Sequence, residues 1–231
     1  MSSGETGVIF DLGGVVLNSP FDAIADFERE LGVAPNSVNE VIRAAGHDGA
    51  FARLERGDLT VGSFAPAFAR DCDFAGMGSI DGHQLVLRIC AACTPRPLML
   101  DALHLLKTEP AVSTAALTNN FVFDSTSAFA DATEEVRPLF DVVVESAVER
   151  LRKPDPAIYK LACERLGLQP AGCVFLDDIG RNLKPAAAMG MRTIKCAVED
   201  RSGERALGAL AQMLGGDVGR RLQQLLLRGR L

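Results

Sequence analysis

The chain has 231 residues, 48% of them hydrophobic, enough to bury a full core in one large domain or in one domain with an insertion. A formal net charge of -6 with no basic stripe argues against a nucleic-acid partner held by bulk electrostatics. The opening MSSGETG lacks the basic and apolar blocks of a secretion signal, and no apolar run approaches the ~18 residues of a membrane span, so a cytoplasmic protein without a membrane partner is expected.

The first apolar run, GVIF, reads as a buried strand and delivers Asp11, followed by Leu12, Gly13 and Gly14. About ninety residues then pass before the next such run, far more than the dozen or so that a crossover needs, so an insertion is expected. Its period is helical: Ile24, Phe27 and Leu31, then Val38, Val41 and Ile42, then Thr60 as an N-cap before Val61, Phe64 and Phe68. Residues 19–96 therefore read as a small helical cap domain, and residues 1–18 with 97–231 as the sheet domain. The Thr94-Pro95-Arg96-Pro97 segment marks the return, because successive prolines interrupt a helix.

Four more apolar runs follow: AVSTAAL before Thr118, DVVVESAV from Asp141, CVFL before Asp177 and RTIKCAV from Arg192. Each reads as a buried strand. Helical segments lie between them, such as PDPAIYKLACERLG, where Ile158, Leu161, Ala162 and Leu166 share a face and Gly167 offers a C-terminal cap. Alternating strands and helices predict an α/β fold, a doubly wound, Rossmann-like parallel sheet. The final segment puts Val218, Leu222, Leu225 and Leu226 on one helical face. Packing against the sheet domain is the favoured reading, and a subunit contact in a homodimer the lesser one.

Six cysteines, Cys72, Cys90, Cys93, Cys163, Cys173 and Cys196, are scattered and read as reduced thiols. Cys90 and Cys93 form a CxxC, but no second CxxC or nearby His pair completes a metal site. They continue an apolar stripe with Val86 and Ile89, which favours the core.

In a doubly wound sheet, ligands bind beyond the carboxyl ends of the strands. Asp11 follows the first strand, Thr118-Asn119-Asn120 the second, Lys153 lies in the loop after the third, and Asp177-Asp178 closes the fourth. Singly, each has a structural reading as a turn former, helix cap or solvated loop residue. Together they assemble one chemistry. The carboxylates suit Mg2+, Asp11 can attack phosphorus to form an aspartyl-phosphate, and Lys153 and Thr118 can stabilise charge on the phosphoryl oxygens.

The segments FDLGGVV, ALTNN, RKPDPAIYKLACERLG and FLDDIGRNLKPAAAMGM resemble, in order, those of the haloacid dehalogenase superfamily of hydrolases. The insertion is similar to the helical cap of that superfamily's first class. FARLERGDLTVGSFAPAF resembles caps of phosphatases related to the N-terminal domain of soluble epoxide hydrolase and the hydrolase-like domain of acyl-CoA dehydrogenase family member ten. The resemblance implies that Asp11 is the nucleophile and a metal ligand, that Asp178 binds Mg2+ directly with Asp177 beside it, and that Lys153 holds nucleophile and phosphoryl group. It implies further that Thr118 and Asn119 bind the phosphate, that the Gly13 carbonyl ligates the metal and that Asn182 orients the acidic loop.

Gly13 is a departure, since most phosphatases of the superfamily carry there a second Asp that protonates the leaving oxygen and later activates water. Such acid-base help is worth roughly 10²- to 10⁴-fold, so its loss weighs most on poor leaving groups. The leading expectation is a Mg2+-dependent phosphatase for a small phosphorylated metabolite. A binding module for Mg2+ and a phosphorylated ligand, with little turnover, is the alternative that Gly13 motivates. Carbon-halogen cleavage is disfavoured, because the acidic pair repels a carboxylate substrate unless a cation intervenes. Arg53, Glu55 and Arg56 fix no substrate and read equally well as a solvated face.

Overall fold

The computed structural model describes residues 5–121 and 133–228. The first four residues of the polar N-terminal segment and the last three of the C-terminal amphipathic segment lie outside the described residues. Five strands, β1 (Thr6–Phe10), β2 (Val112–Thr118), β3 (Val142–Glu145), β4 (Cys173–Asp177) and β5 (Arg192–Lys195), form one parallel sheet in the order β3-β2-β1-β4-β5. The central strands are covered on both faces, which is why they read as unbroken apolar runs. Alternate residues serve the two sides: Val8, Phe10 and Leu176 enter one core, and Ile9, Leu117 and Phe175 the other.

Between β1 and β2 run α1 (Pro20–Leu31), α2 (Ser37–Ala45), α3 (Ala50–Glu55), α4 (Val61–Phe74) and α5 (Gly82–Ala92), followed by α6 (Pro97–Lys107). Local signals explain their limits. Ser19 caps α1 with Pro20 at its first position, Gly32 ends it at φ 68°, and Thr60 and Ser63 form a reciprocal capping box at α4. Phe64 and Phe68 stack at 5.2 Å within the buried interior of these helices. The outgoing and returning chains lie side by side, with Asn18 N donating to Thr94 O at 2.8 Å and Arg96 N to Val16 O at 2.9 Å.

After β3 come α7 (Ser146–Glu149) and α8 (Pro156–Leu166); α9 (Gly180–Ala188) joins β4 to β5, and α10 (Glu204–Leu214) and α11 (Gly216–Arg228) end the described chain. In α11 Leu222 is fully buried, and the helix packs against α10 and α6 with Arg221 paired to Glu109. All six cysteines are free and buried. No described helix is long and apolar enough to cross a membrane.

Three sequence expectations need correction. The DVVVESAV run is a strand only to Glu145, because the register pairs Glu145 with Thr118, the last residue of β2, and the ladder has no partner beyond. RTIKCAV likewise stops as a strand at Lys195, opposite Asp177 at the end of β4. Leu31 is exposed, while Glu28 is buried and accepts from Asn36 N at 2.6 Å and Val38 N at 2.8 Å. That carboxylate satisfies the start of α2, which has no side-chain cap of its own.

Candidate active site

Parallel register aligns the strand ends, and Phe10 pairs with both Ala116 and Leu176. Asp11, one residue past β1, donates its amide to Leu176 O at 2.9 Å, which sets it beside the Asp177 end of β4. Lys153, from the loop after α7, reaches both: its Nζ lies 2.7 Å from Asp11 Oδ1 and 2.8 Å from Asp177 Oδ2. All three side chains are buried. Ligand atoms of Asp11, Asp177 and Asp178 lie within 4.8 Å of one another.

Three carboxylates and one ammonium in a buried space leave an excess of negative charge. Burial pushes the Asp11 carboxyl well above its usual range; Lys153 opposes this, and Asp177 and Asp178 add to it. Burial and then Asp177 push Asp178 up to about 6. Burial works against the Lys153 ammonium, yet Asp11 and Asp177 hold its pKa above the ordinary value. The cluster is short of positive charge, as a cation-binding site is.

The two acidic neighbours are used differently. Asp177 Oδ1 accepts from Ile179 N at 2.7 Å, and Asn182 Nδ2 lies 3.1 Å from both Asp177 oxygens. With Lys153 also on Oδ2, Asp177 is saturated. Asp178 Oδ1 is buried and has no hydrogen-bond partner among the described residues. A buried carboxylate oxygen left in this state is costly, and hard oxygen donors of this kind suit Mg2+, so the donor set fits the ion.

Other residues fix the frame. Asn119 and Lys153 exchange bonds, Nδ2 to Lys153 O at 3.2 Å and Lys153 N to Oδ1 at 2.9 Å. Tyr159 Oη donates to Asn182 O at 2.7 Å. Thr118 is buried at the end of β2, its hydroxyl making, among the described residues, only a 3.4 Å bond to Asn119 O, and it lines a cavity of about 140 Å³ with Asn119 and Gly13. That cavity is roofed by Phe21, Ile24, Ile42, Phe51 and Ile89 of the inserted helices. A second cavity of about 100 Å³ touches Asp11, Gly13, Lys153, Asp178 and Asn182. All eight sequence-predicted residues, Asp11, Gly13, Thr118, Asn119, Lys153, Asp177, Asp178 and Asn182, therefore meet in one region.

This geometry is accompanied by a sequence match to the haloacid dehalogenase-like hydrolases over residues 6–190. The chain belongs to that family. It is 35% identical over 210 residues to acyl-CoA dehydrogenase family member 10 of Mus musculus, covering 90% of this chain and 19% of that protein. It is also 35% identical over 196 residues to bifunctional epoxide hydrolase 2 of Sus scrofa, covering 80% of this chain and 35% of that protein. The chain thus spans well under half the length of either. Phosphatase MT3486 of Mycobacterium tuberculosis is 27% identical over 225 residues, covering 91% of this chain and 97% of that protein. The HAD family enzyme BT-2542 of Bacteroides thetaiotaomicron, solved with magnesium and inorganic phosphate, shares the fold with a TM-score of 0.59 at 22% identity, over 83% of this chain and 94% of that one.

In this haloacid dehalogenase-like hydrolase, further residues border the candidate site that the sequence pattern did not single out. Gly14 adopts φ +78° and lies against the Asp178 carboxylate, where a Cβ would collide. Its signal in the sequence is the second glycine of the Gly13-Gly14 pair that follows Asp11. Glu55 is buried, not on a solvated face; it pairs with Arg152 and lines both cavities. Arg181 is exposed at the mouth and lines both as well. Helical phase could not place either against a site built by other loops. Cys90 and Cys93 are core thiols, each pushed up to about 12 by burial.

Proposed function

We propose that this hydrolase is a Mg2+-dependent phosphatase for a small phosphorylated compound, working through an aspartyl-phosphate on Asp11. The observation that carries the reading is the Asp11–Lys153–Asp177 chain of short ion pairs beside the unpartnered Oδ1 of Asp178. The likeness to phosphatase MT3486 supports the same class. Asp11, Asp178 and the Gly13 carbonyl would hold Mg2+, which when bound supplies the positive charge that lets an anionic nucleophile approach an anionic phosphate.

Asp11 Oδ1 is fixed by Lys153 and by the amide of Leu12 at 2.7 Å, which sets the rotation of the carboxylate before substrate arrives. An Asp11 oxygen attacks phosphorus and the bond to the leaving oxygen breaks. Lys153 stays beside the phosphoryl group, and the Thr118 hydroxyl and Asn119 serve its oxygens as preorganised donors. Water then attacks phosphorus, and Asp11 returns as a carboxylate. Asp177 and Asn182 act through position, holding Lys153 and the acidic loop.

Gly13 brings no side chain to this cavity, which favours good leaving groups and motivates a second reading as a phosphate-binding module. The experiment compares Mg2+-dependent hydrolysis of p-nitrophenyl phosphate and an alkyl phosphate. The phosphatase reading predicts aryl turnover with a much weaker alkyl rate. Tight phosphate binding by the folded, Mg2+-loaded protein with no turnover of either ester would establish the module instead.

A further inference from the structure

The proposed hydrolysis has a second half, in which water must lose a proton as it attacks phosphorus. Gly13 offers nothing to accept it. The two site cavities present three carboxyl groups among the described residues: Asp11, Asp178 and Glu55. Asp11 carries the phosphoryl group at this stage, and Asp178 belongs to the candidate cation cluster. Cys93 also lines the apolar cavity, but burial pushes its thiol up to about 12, which makes it a poor acceptor at neutral pH. Glu55 remains.

Its placement suits the task. Glu55 ends α3, on the inserted helices, and its carbonyl accepts from Ser146 Oγ at 2.5 Å. Ser146 Oγ in turn accepts from Asn120 N at 2.9 Å, so the backbone of Glu55 is referenced to the Thr118-Asn119-Asn120 loop. The side chain is held by Arg152 at Oε2, and Arg152 immediately precedes Lys153, which holds Asp11. Oε1 makes no hydrogen bond among the described residues, and Glu55 lines both cavities. One oxygen is anchored and the other is available.

Resting on the phosphatase reading above, we propose that Glu55 is the general base that activates water for release of phosphate from Asp11. The water oxygen forms the new bond to phosphorus, the bond from phosphorus to the Asp11 oxygen breaks, and the water proton passes to Glu55 Oε1. Phosphate leaves and Glu55 returns its proton to solvent. The base therefore comes from the inserted helices, in place of a side chain at position 13.

The test is rapid mixing of the Mg2+-loaded protein with p-nitrophenyl phosphate, reading the nitrophenolate burst, the steady-state rate and acid-stable phosphoenzyme. Glu55→Gln, which keeps the size and the contact with Arg152, should retain the burst of about one nitrophenolate per site. Its steady-state rate should fall by roughly 10² or more and phosphoenzyme should accumulate. In Glu55→Ala, formate should restore turnover by occupying the space beside Arg152, a rescue that a merely structural contact would not give. In the unaltered protein, phosphoenzyme decay but not its formation should slow in D2O, a reading that needs no variant to fold. Unchanged turnover in Glu55→Gln, loss of the burst together with turnover, or decay insensitive to D2O would each overturn the assignment. Unchanged turnover in Asp11→Asn would instead refute the aspartyl-phosphate reading on which it rests.

Discussion

The space that Gly14 leaves open is filled by the carboxylate of Asp178: a Cβ at position 14 would collide with Oδ2. Gly14 also sits at φ +78°, which a side-chain-bearing residue adopts only under strain. Gly14→Ala is expected to displace Asp178, lowering Mg2+ affinity at least tenfold by calorimetry and destabilising the fold by about 1–3 kcal/mol in urea. Unchanged Mg2+ affinity would remove Asp178 from the cation site.

Gly13 differs from its neighbour. Its backbone is not in the left-handed region, and among the described residues an added Cβ would meet only the Pro20 ring, at 3.6 and 3.9 Å. Gly13→Asp should therefore fold and restore an acid near the leaving oxygen. The gain should be larger for an alkyl phosphate than for p-nitrophenyl phosphate, within the roughly 10²- to 10⁴-fold range of acid-base help. An equal gain for both esters would count against the missing acid.

Lys153 is the cation that keeps two buried carboxylates compatible. Lys153→Met keeps the volume and removes the charge. In chelator, the variant should lose about 3–5 kcal/mol of stability by urea denaturation, the usual cost of breaking a buried ion pair from one side. A loss below ~1 kcal/mol would mean that the carboxylates do not depend on it.

Proton linkage gives a further expectation. Burial holds Asp11 well above the carboxylate range and Asp178 at about 6, so both bind protons more tightly folded than unfolded. Their contribution to the metal-free fold is present below the ordinary carboxylate range and is lost as pH rises through the raised values. A bound cation offsets that loss. The rise in Tm caused by Mg2+ should accordingly be larger at about pH 7.5 than at about pH 5. Equal shifts would contradict the placement of the ion among these carboxylates.

Strands β1, β2 and β4 were legible because burial on both faces makes them continuous apolar runs, and their carboxyl ends then select Asp11, Thr118 and Asp177 by topology alone. Where DVVVESAV stops being a strand was not legible, since Glu145 is the last residue with a partner on another strand. Leu31 is exposed where the helical period expected it buried, and Glu28 is buried instead, satisfying amides eight and ten residues away. Glu55 and Arg152 become a pair across ninety-seven positions, which no local period encodes. Local chemistry thus announces the rim of the sheet, and the inserted helices' contribution to the site appears only once the chain is folded.

The most direct test of the central claim is the state of Asp11 during Mg2+-dependent turnover of p-nitrophenyl phosphate, read by rapid acid quench and mass spectrometry of the peptide that contains it. The account predicts phosphate on Asp11 early in the reaction, and neither phosphorylation nor turnover in a folded Asp11→Asn protein. Turnover that survives in Asp11→Asn would contradict it.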